Sequence, residues 1–109
     1  MMGGAIFSDV NFHVAKQQDE SGYNCTFNCW SCDTEITIRH AWPEVRRMLE
    51  GHHVPGVIMD GEGWIVEIEC TNYSDGCMAK NKYRIRHAEL EEAAEREAAR
   101  RQRMSNYNR

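Results

Sequence analysis

No stretch of this chain is apolar for anything close to the eighteen or so residues that a membrane helix needs, which argues against a membrane span. Basic charge is not in excess either. Thirteen Lys and Arg face seventeen Asp and Glu, for a formal net charge of −4. Residues 1–86 hold 12 acidic and 8 basic side chains, and residues 87–109 hold five of each. An acidic body is a poor electrostatic footprint for non-specific nucleic-acid binding. The first residues, Met1 to Phe7, have neither a basic lead nor a long apolar segment, so no signal peptide is expected. Also missing are a nucleophile motif, a convincing carboxylate dyad and a strand-to-helix phosphate loop. Gly61 and Gly63 belong to a turn between short strands. At 109 residues the chain can bury only a modest core.

What is present is cysteine. Five is an odd number, and without an export signal it favours a reducing compartment and metal ligation over a disulfide framework. Cys29 and Cys32 form a CxxC, Cys29-Trp30-Ser31-Cys32. Cys70 and Cys77 follow in Cys70-Thr71-Asn72-Tyr73-Ser74-Asp75-Gly76-Cys77. Each pair follows one alternating segment and precedes another. Tyr23, Cys25, Phe27 and Cys29 share one face of a strand, and Ile36 and Ile38 alternate in the next. Trp64, Val66, Ile68 and Cys70 share a face of the clearest strand, and Tyr83 and Ile85 alternate after the second pair. Val10, Phe12 and Val14 suggest a first strand, with Asp19-Glu20-Ser21-Gly22 as a turn. Val57-Ile58-Met59 reads as a short strand turned back over Asp60–Gly63.

Between the two cysteine pairs lies a short helix, at about 42–51. Pro43 suits a first helical position, Val45, Met48 and Leu49 make an apolar stripe, and Gly51 suits C′. Glu67 and Glu69 are expected near Arg86 and Arg84 across a hairpin folded at Cys70–Cys77. Residues 88–104 have high helix propensity, acids in the first half, Arg100, Arg101 and Arg103 in the second, and i,i+4 pairs Glu92–Arg96 and Glu97–Arg101. Their apolar face is thin, mostly Leu90, Ala94 and Ala98, so this helix is expected to project from the body rather than pack fully on it.

Four thiolates on two strand-flanked turns resemble a zinc ribbon, in which two hairpin tips supply two ligands each. The resemblance covers roughly residues 23–87. It implies an α+β fold: a small antiparallel β zinc ribbon with one inserted short helix and a C-terminal charged helix. It also implies structural Zn²⁺ on Cys29, Cys32, Cys70 and Cys77, because a closed four-thiolate site leaves no position for substrate. The gap between Cys70 and Cys77 is longer than usual, and Asp75-Gly76 supplies the tight backbone that a knuckle needs. The domains expected are a ribbon-like body at 1–87 and a helical arm at 88–109.

Other readings of the cysteines are less complete. Cys25, Cys29 and Cys32 form CxxxCxxC with an aromatic, Trp30, after the second cysteine, similar to the cluster motif of radical S-adenosylmethionine enzymes. That resemblance covers eight residues and leaves Cys70 and Cys77 unused. A thioredoxin-like role needs the first cysteine at a helix N-terminus, whereas a β-pattern follows here. Cys25, in phase with Tyr23 and Phe27, reads as a small buried apolar residue. His52-His53 read as helix-end residues.

No enzymatic activity is expected. The function expected is a structural or adaptor protein working through protein partners in a larger assembly, such as a bacteriophage virion, with Leu90, Ala94, Arg100, Arg101 and Arg103 as contact residues. The alternative is a nucleic-acid-binding ribbon using Lys80, Lys82, Arg84 and Arg86, with Trp30 and Tyr73 stacking on bases.

Overall fold

The structure, a computed structural model, describes residues 10, 11 and 13–107. Two hairpins organise it. In the first, β2 (Ala15–Asp19) pairs antiparallel with β3 (Gly22–Asn28), which pairs with β4 (Glu35–Ala41). The carboxylate of Asp19 closes the β2–β3 turn by accepting from the backbone N–H of Ser21 (2.8 Å) and of Gly22 (3.0 Å) and from the Ser21 hydroxyl (2.7 Å). Helix α1 (Trp42–Leu49) follows β4 directly, with Pro43 in its first turn. β5 (Val57–Asp60), β6 (Gly63–Glu69) and β7 (Lys80–Arg86) make the second antiparallel unit, and β1 (Val10–Asn11) lies parallel to β7 at its edge. The sheets thus run β2-β3-β4 and β1-β7-β6-β5. Helix α2 (His87–Tyr107) begins where β7 ends. This is an α+β fold of small antiparallel sheets with one inserted and one C-terminal helix.

The buried faces of the two sheets meet over Cys25, Phe27 and Ile36 on one side and Val66, Tyr83 and Ile85 on the other. Phe27 and Tyr83 rings lie 5.3 Å apart. α1 adds Trp42, Val45 and Met48, and the Trp42 indole N–H donates to the Asp19 carbonyl at 2.9 Å. One polar group is buried among them. The imidazole of His40 bridges the Tyr83 hydroxyl and the Glu44 carboxylate, so its two ring nitrogens are both satisfied. At Gly63 a side chain would force the backbone to shift, because a Cβ there would sit 2.1 Å from the Ile85 carbonyl oxygen.

Three expectations are corrected. The first strand is not the Val10–Val14 alternation. Its only paired residues are Val10 and Asn11, Phe12 lies outside the described residues, and the full strand is β2. The Asp19 turn fixes the five residues before it as the partner of β3, with Lys16 and Gln18 pointing inward. Second, Glu67 lies opposite Lys82 and Glu69 opposite Lys80, not Arg86 and Arg84. The bond from Cys70 N to Ala79 O (2.9 Å) sets the register, so the loop is shorter than the expected pairing makes it and residues 79–82 join the ladder. Arg84 reaches Asp60 instead, at 2.7 Å.

Third, the helical arm does not project along its whole length. Leu90 and Ala93 are fully buried, and Glu97 is 5% exposed. Glu89 explains the docking. Its carboxylate accepts from the Arg86 backbone N–H (2.8 Å), as the third residue of a capping box does, and from Lys16 Nζ (2.9 Å) and the Tyr23 hydroxyl (3.0 Å). Gln18 adds a bond to the Ala93 carbonyl at 3.0 Å. Burial opposes ionisation of Glu89, but these contacts outweigh it and lower its carboxyl from the ordinary value. From Arg101 to Met104 the helix is exposed.

Candidate metal centre

Each hairpin delivers two cysteines from its tip. At the first, β3 runs into Cys29, whose N–H donates to the Thr34 carbonyl (2.8 Å) while Asp33 N donates back to the Cys29 carbonyl (2.9 Å). The turn needs a left-handed residue, supplied by Asp33 at φ 64°. At the second, the loop between β6 and β7 contains a single 3₁₀ turn, Tyr73–Asp75, followed by Gly76 at φ 72°. That turn accounts for the long gap between Cys70 and Cys77, and the glycine admits the backbone reversal that returns Cys77 to the site.

The two tips share a device. The backbone N–H two residues after the leading cysteine points at its sulfur, from Ser31 to Cys29 Sγ and from Asn72 to Cys70 Sγ, both at 3.4 Å. Backbone donors aimed at sulfur favour the thiolate form, the form that binds metal. The tips face each other. Cys32 Sγ lies 3.6 Å from Cys70 Sγ, and Cys29 Sγ lies 3.9 Å from Cys77 Sγ. All four ligand atoms fall within 4.8 Å of one another, an arrangement able to hold a metal ion. Cys29 and Cys70 are buried, and Cys32 and Cys77 are half-buried.

Two asparagines complete the centre. Asn81 is fully buried on β7. Its amide N–H₂ donates to Cys29 Sγ (3.5 Å) and the Ala79 carbonyl (3.3 Å), and its oxygen accepts from Trp30 N (3.1 Å) and Asn11 Nδ2 (3.1 Å). It thereby ties the first tip, the second loop and β1 to one another. Asn72 donates to Thr34 Oγ1 at 2.9 Å, and the same oxygen lies 3.1 Å from Cys32 Sγ, which donates to it. Sequence reading missed both residues. Asn81 did carry a signal: it occupies the buried phase of the Asn81-Tyr83-Ile85 alternation, where an amide needs a reason.

The thiols divide accordingly. The Thr34 hydroxyl and backbone N–H bring Cys32 down to about 6. Burial opposes ionisation of Cys29, but Asn81 and the backbone donors win and lower it. At Cys70 the Asn72 N–H favours the thiolate, yet burial and the neighbouring sulfurs push it up to about 12. Four thiols this close cannot all ionise without a cation among them. Cys25 stands apart. It is fully buried on the same strand face, outside the four-sulfur group, with its thiol pushed up to about 11 by desolvation.

The other expected contact residues are scattered. Leu90 is packed inside the chain's own core and is closed to a partner. Ala94 is half-buried, and Arg100 and Arg101 both bond Glu97, at 2.9 and 3.0 Å. Arg103 is exposed. Trp30 is 47% exposed, with its indole N–H donating to the Lys80 carbonyl at 2.8 Å. The Tyr73 side chain lies outside the described residues. Two of the basic side chains on β7 face acids, Lys82 3.9 Å from Glu67 and Arg84 2.7 Å from Asp60. His52 and His53 are exposed and lie outside the four-sulfur group. No helix among the described residues is long and apolar enough to cross a membrane. Comparison with protein-family models, curated proteins and solved structures finds no match to this chain.

Proposed function

We propose that the chain is a structural zinc protein that acts as an adaptor through contacts with protein partners in a larger assembly. The observation that carries the zinc reading is the spacing of sulfurs across the two tips. A tetrahedron built on Zn–S bonds of about 2.3 Å has edges of about 3.8 Å, two of the four cross-tip separations are 3.6 and 3.9 Å, and no two sulfurs are more than 4.8 Å apart. A site of this size with four thiolates suits zinc better than a hard cation, which prefers oxygen ligands. With every tetrahedral position filled by sulfur there is no place for a substrate, so the metal serves the fold. A reducing compartment suits such ligands.

The adaptor reading rests on the arm. Near its end the helix exposes Arg101, Arg103 and a Met104 that is 50% exposed. Native mass spectrometry of the full chain, before and after acid, tests the metal: one zinc per chain, lost together with the fold, is the expected result, and a metal-free folded chain overturns it. A photo-cross-linking residue placed at Arg103 in the producing cell tests the adaptor. Discrete adducts with other proteins are expected, and an arm that cross-links to nothing removes that reading.

A further inference from the structure

We propose that the cysteine centre is also a peroxide-responsive switch, in which oxidation joins Cys32 to Cys70 and Cys29 to Cys77, expels the cation and keeps the two hairpin tips connected. The proposal rests on the metal reading only for the expelled ion; the pairing of the sulfurs stands on geometry alone.

All four sulfurs lie within 4.8 Å of one another, and two of the contacts that cross from one hairpin to the other are Cys32 to Cys70 at 3.6 Å and Cys29 to Cys77 at 3.9 Å. Each contact matches one half-buried sulfur with one buried sulfur, Cys32 with Cys70 and Cys77 with Cys29. That division of labour fits a two-step oxidation. A small oxidant reaches the more accessible member, and the buried member, already in contact, resolves the product before over-oxidation proceeds.

The chemistry balances with hydrogen peroxide as oxidant. The accessible thiolate attacks one peroxide oxygen, the O–O bond breaks and hydroxide leaves, giving a sulfenic acid. The buried thiolate then attacks that sulfur, forming the S–S bond and releasing the second hydroxide. Each pair thus gives two electrons to one peroxide. Two rounds consume two peroxides, convert four thiolates into two disulfides and leave the divalent cation without ligands.

The pairing matters for the fold. A bond within Cys29–Cys32 or within Cys70–Cys77 would close one tip on itself and leave the tips unlinked. Cross-tip bonds replace the metal as the long-range tie, so the oxidised chain keeps its architecture and the change is reversible by a thiol reductant. Cys25, buried and outside the group, takes no part and remains the one free thiol.

The chain carries a built-in assay. Neither tip contains a tryptic site, so trypsin releases both cysteines of the first tip in residues 17–39 and both of the second in residues 48–80. The reduced full-length protein, its zinc content first measured, is treated with two equivalents of hydrogen peroxide. Zinc appearance is followed with a chromophoric chelator, and the chain is then digested without reductant. The expected result is release of the bound zinc, one remaining free thiol, and fragments 17–39 and 48–80 covalently joined; chymotryptic cleavage after Trp30 and Tyr73 resolves the two bridges. Separate fragments, each with an internal disulfide, overturn the proposal, as do sulfinic acids without bridges or zinc retained after the peroxide is consumed. A protein that starts without zinc counts against the metal reading, and its cross-linked or separate fragments still decide the pairing.

Discussion

Asn81 donates its amide N–H to the sulfur of Cys29 across 3.5 Å while fully buried on a strand that carries no metal ligand of its own. The same side chain accepts the Trp30 backbone N–H, so it fixes the first tip from outside that tip. Replacing Asn81 with Leu keeps the volume and strands these groups. Unsatisfied buried donors cost about 1–3 kcal/mol, and loss of an outer hydrogen bond to a ligand typically weakens metal binding about 10–100-fold. Zinc competition against a chelator, alongside thermal melts, reads both; an unchanged affinity would show that the amide is only a filler.

The five cysteines should separate into two classes. Serine at Cys29, Cys32, Cys70 or Cys77 removes a ligand and with it the folding free energy tied to the metal. Alanine at Cys25 deletes one buried sulfur and should cost on the order of 1 kcal/mol as a small cavity, leaving one zinc per chain. Native mass spectrometry and melting curves of the variants check this. A Cys25→Ala protein that loses its metal would place Cys25 in the site.

Gly63 is required by close approach to β7. A Cβ there meets the Ile85 carbonyl at 2.1 Å and the Arg86 Cα at 2.8 Å, both backbone atoms that cannot swing aside. Gly63→Ala should destabilise by about 1–3 kcal/mol, the usual range for overpacking. Chemical denaturation gives the value, and a change below a few tenths of a kcal/mol would mean that the β6–β7 ladder shifts freely.

Acid should loosen the β2–β3 hairpin through Asp19. Bonds from the Ser21 hydroxyl and from backbone N–H groups hold its carboxyl at about 2, below the ordinary 3.8. A lowered folded-state value means that the stabilisation is complete above about pH 4 and fades as pH falls toward 2. Asp19→Asn keeps an acceptor and drops the titration. Hydrogen exchange at Ser21 and Gly22 between pH 5 and 2 should show protection that decays in the parent and stays flat in the variant.

The elements that carry apolar alternation were legible in the residues. Tyr23, Cys25, Phe27 and Cys29 are all buried together, as are Trp64, Val66 and Cys70, because a strand that covers a core has one apolar face. The four ligands were legible for the same reason, since each pair ends such a strand. β2 was hidden because its inward side chains are Lys16 and Gln18, long polar groups that reach across to Glu89 and the Ala93 carbonyl. The β6–β7 register was hidden in a loop whose length does not reveal how it folds. The Glu97–Arg101 pair was legible from its i,i+4 spacing, but the burial of Glu97 was not, because a carboxylate at that phase reads as solvent-facing until the helix is docked.

The two sheets are fastened together at opposite ends by unrelated chemistry. One clasp is sulfur, at the hairpin tips. The other is the Glu89 carboxylate, which collects β2, β3 and the end of β7 through Lys16, Tyr23 and the Arg86 N–H. With the sulfur end unfastened, the sheets are left tied at the Glu89 end alone, which is why loss of the metal is expected to cost the fold and not only the tips.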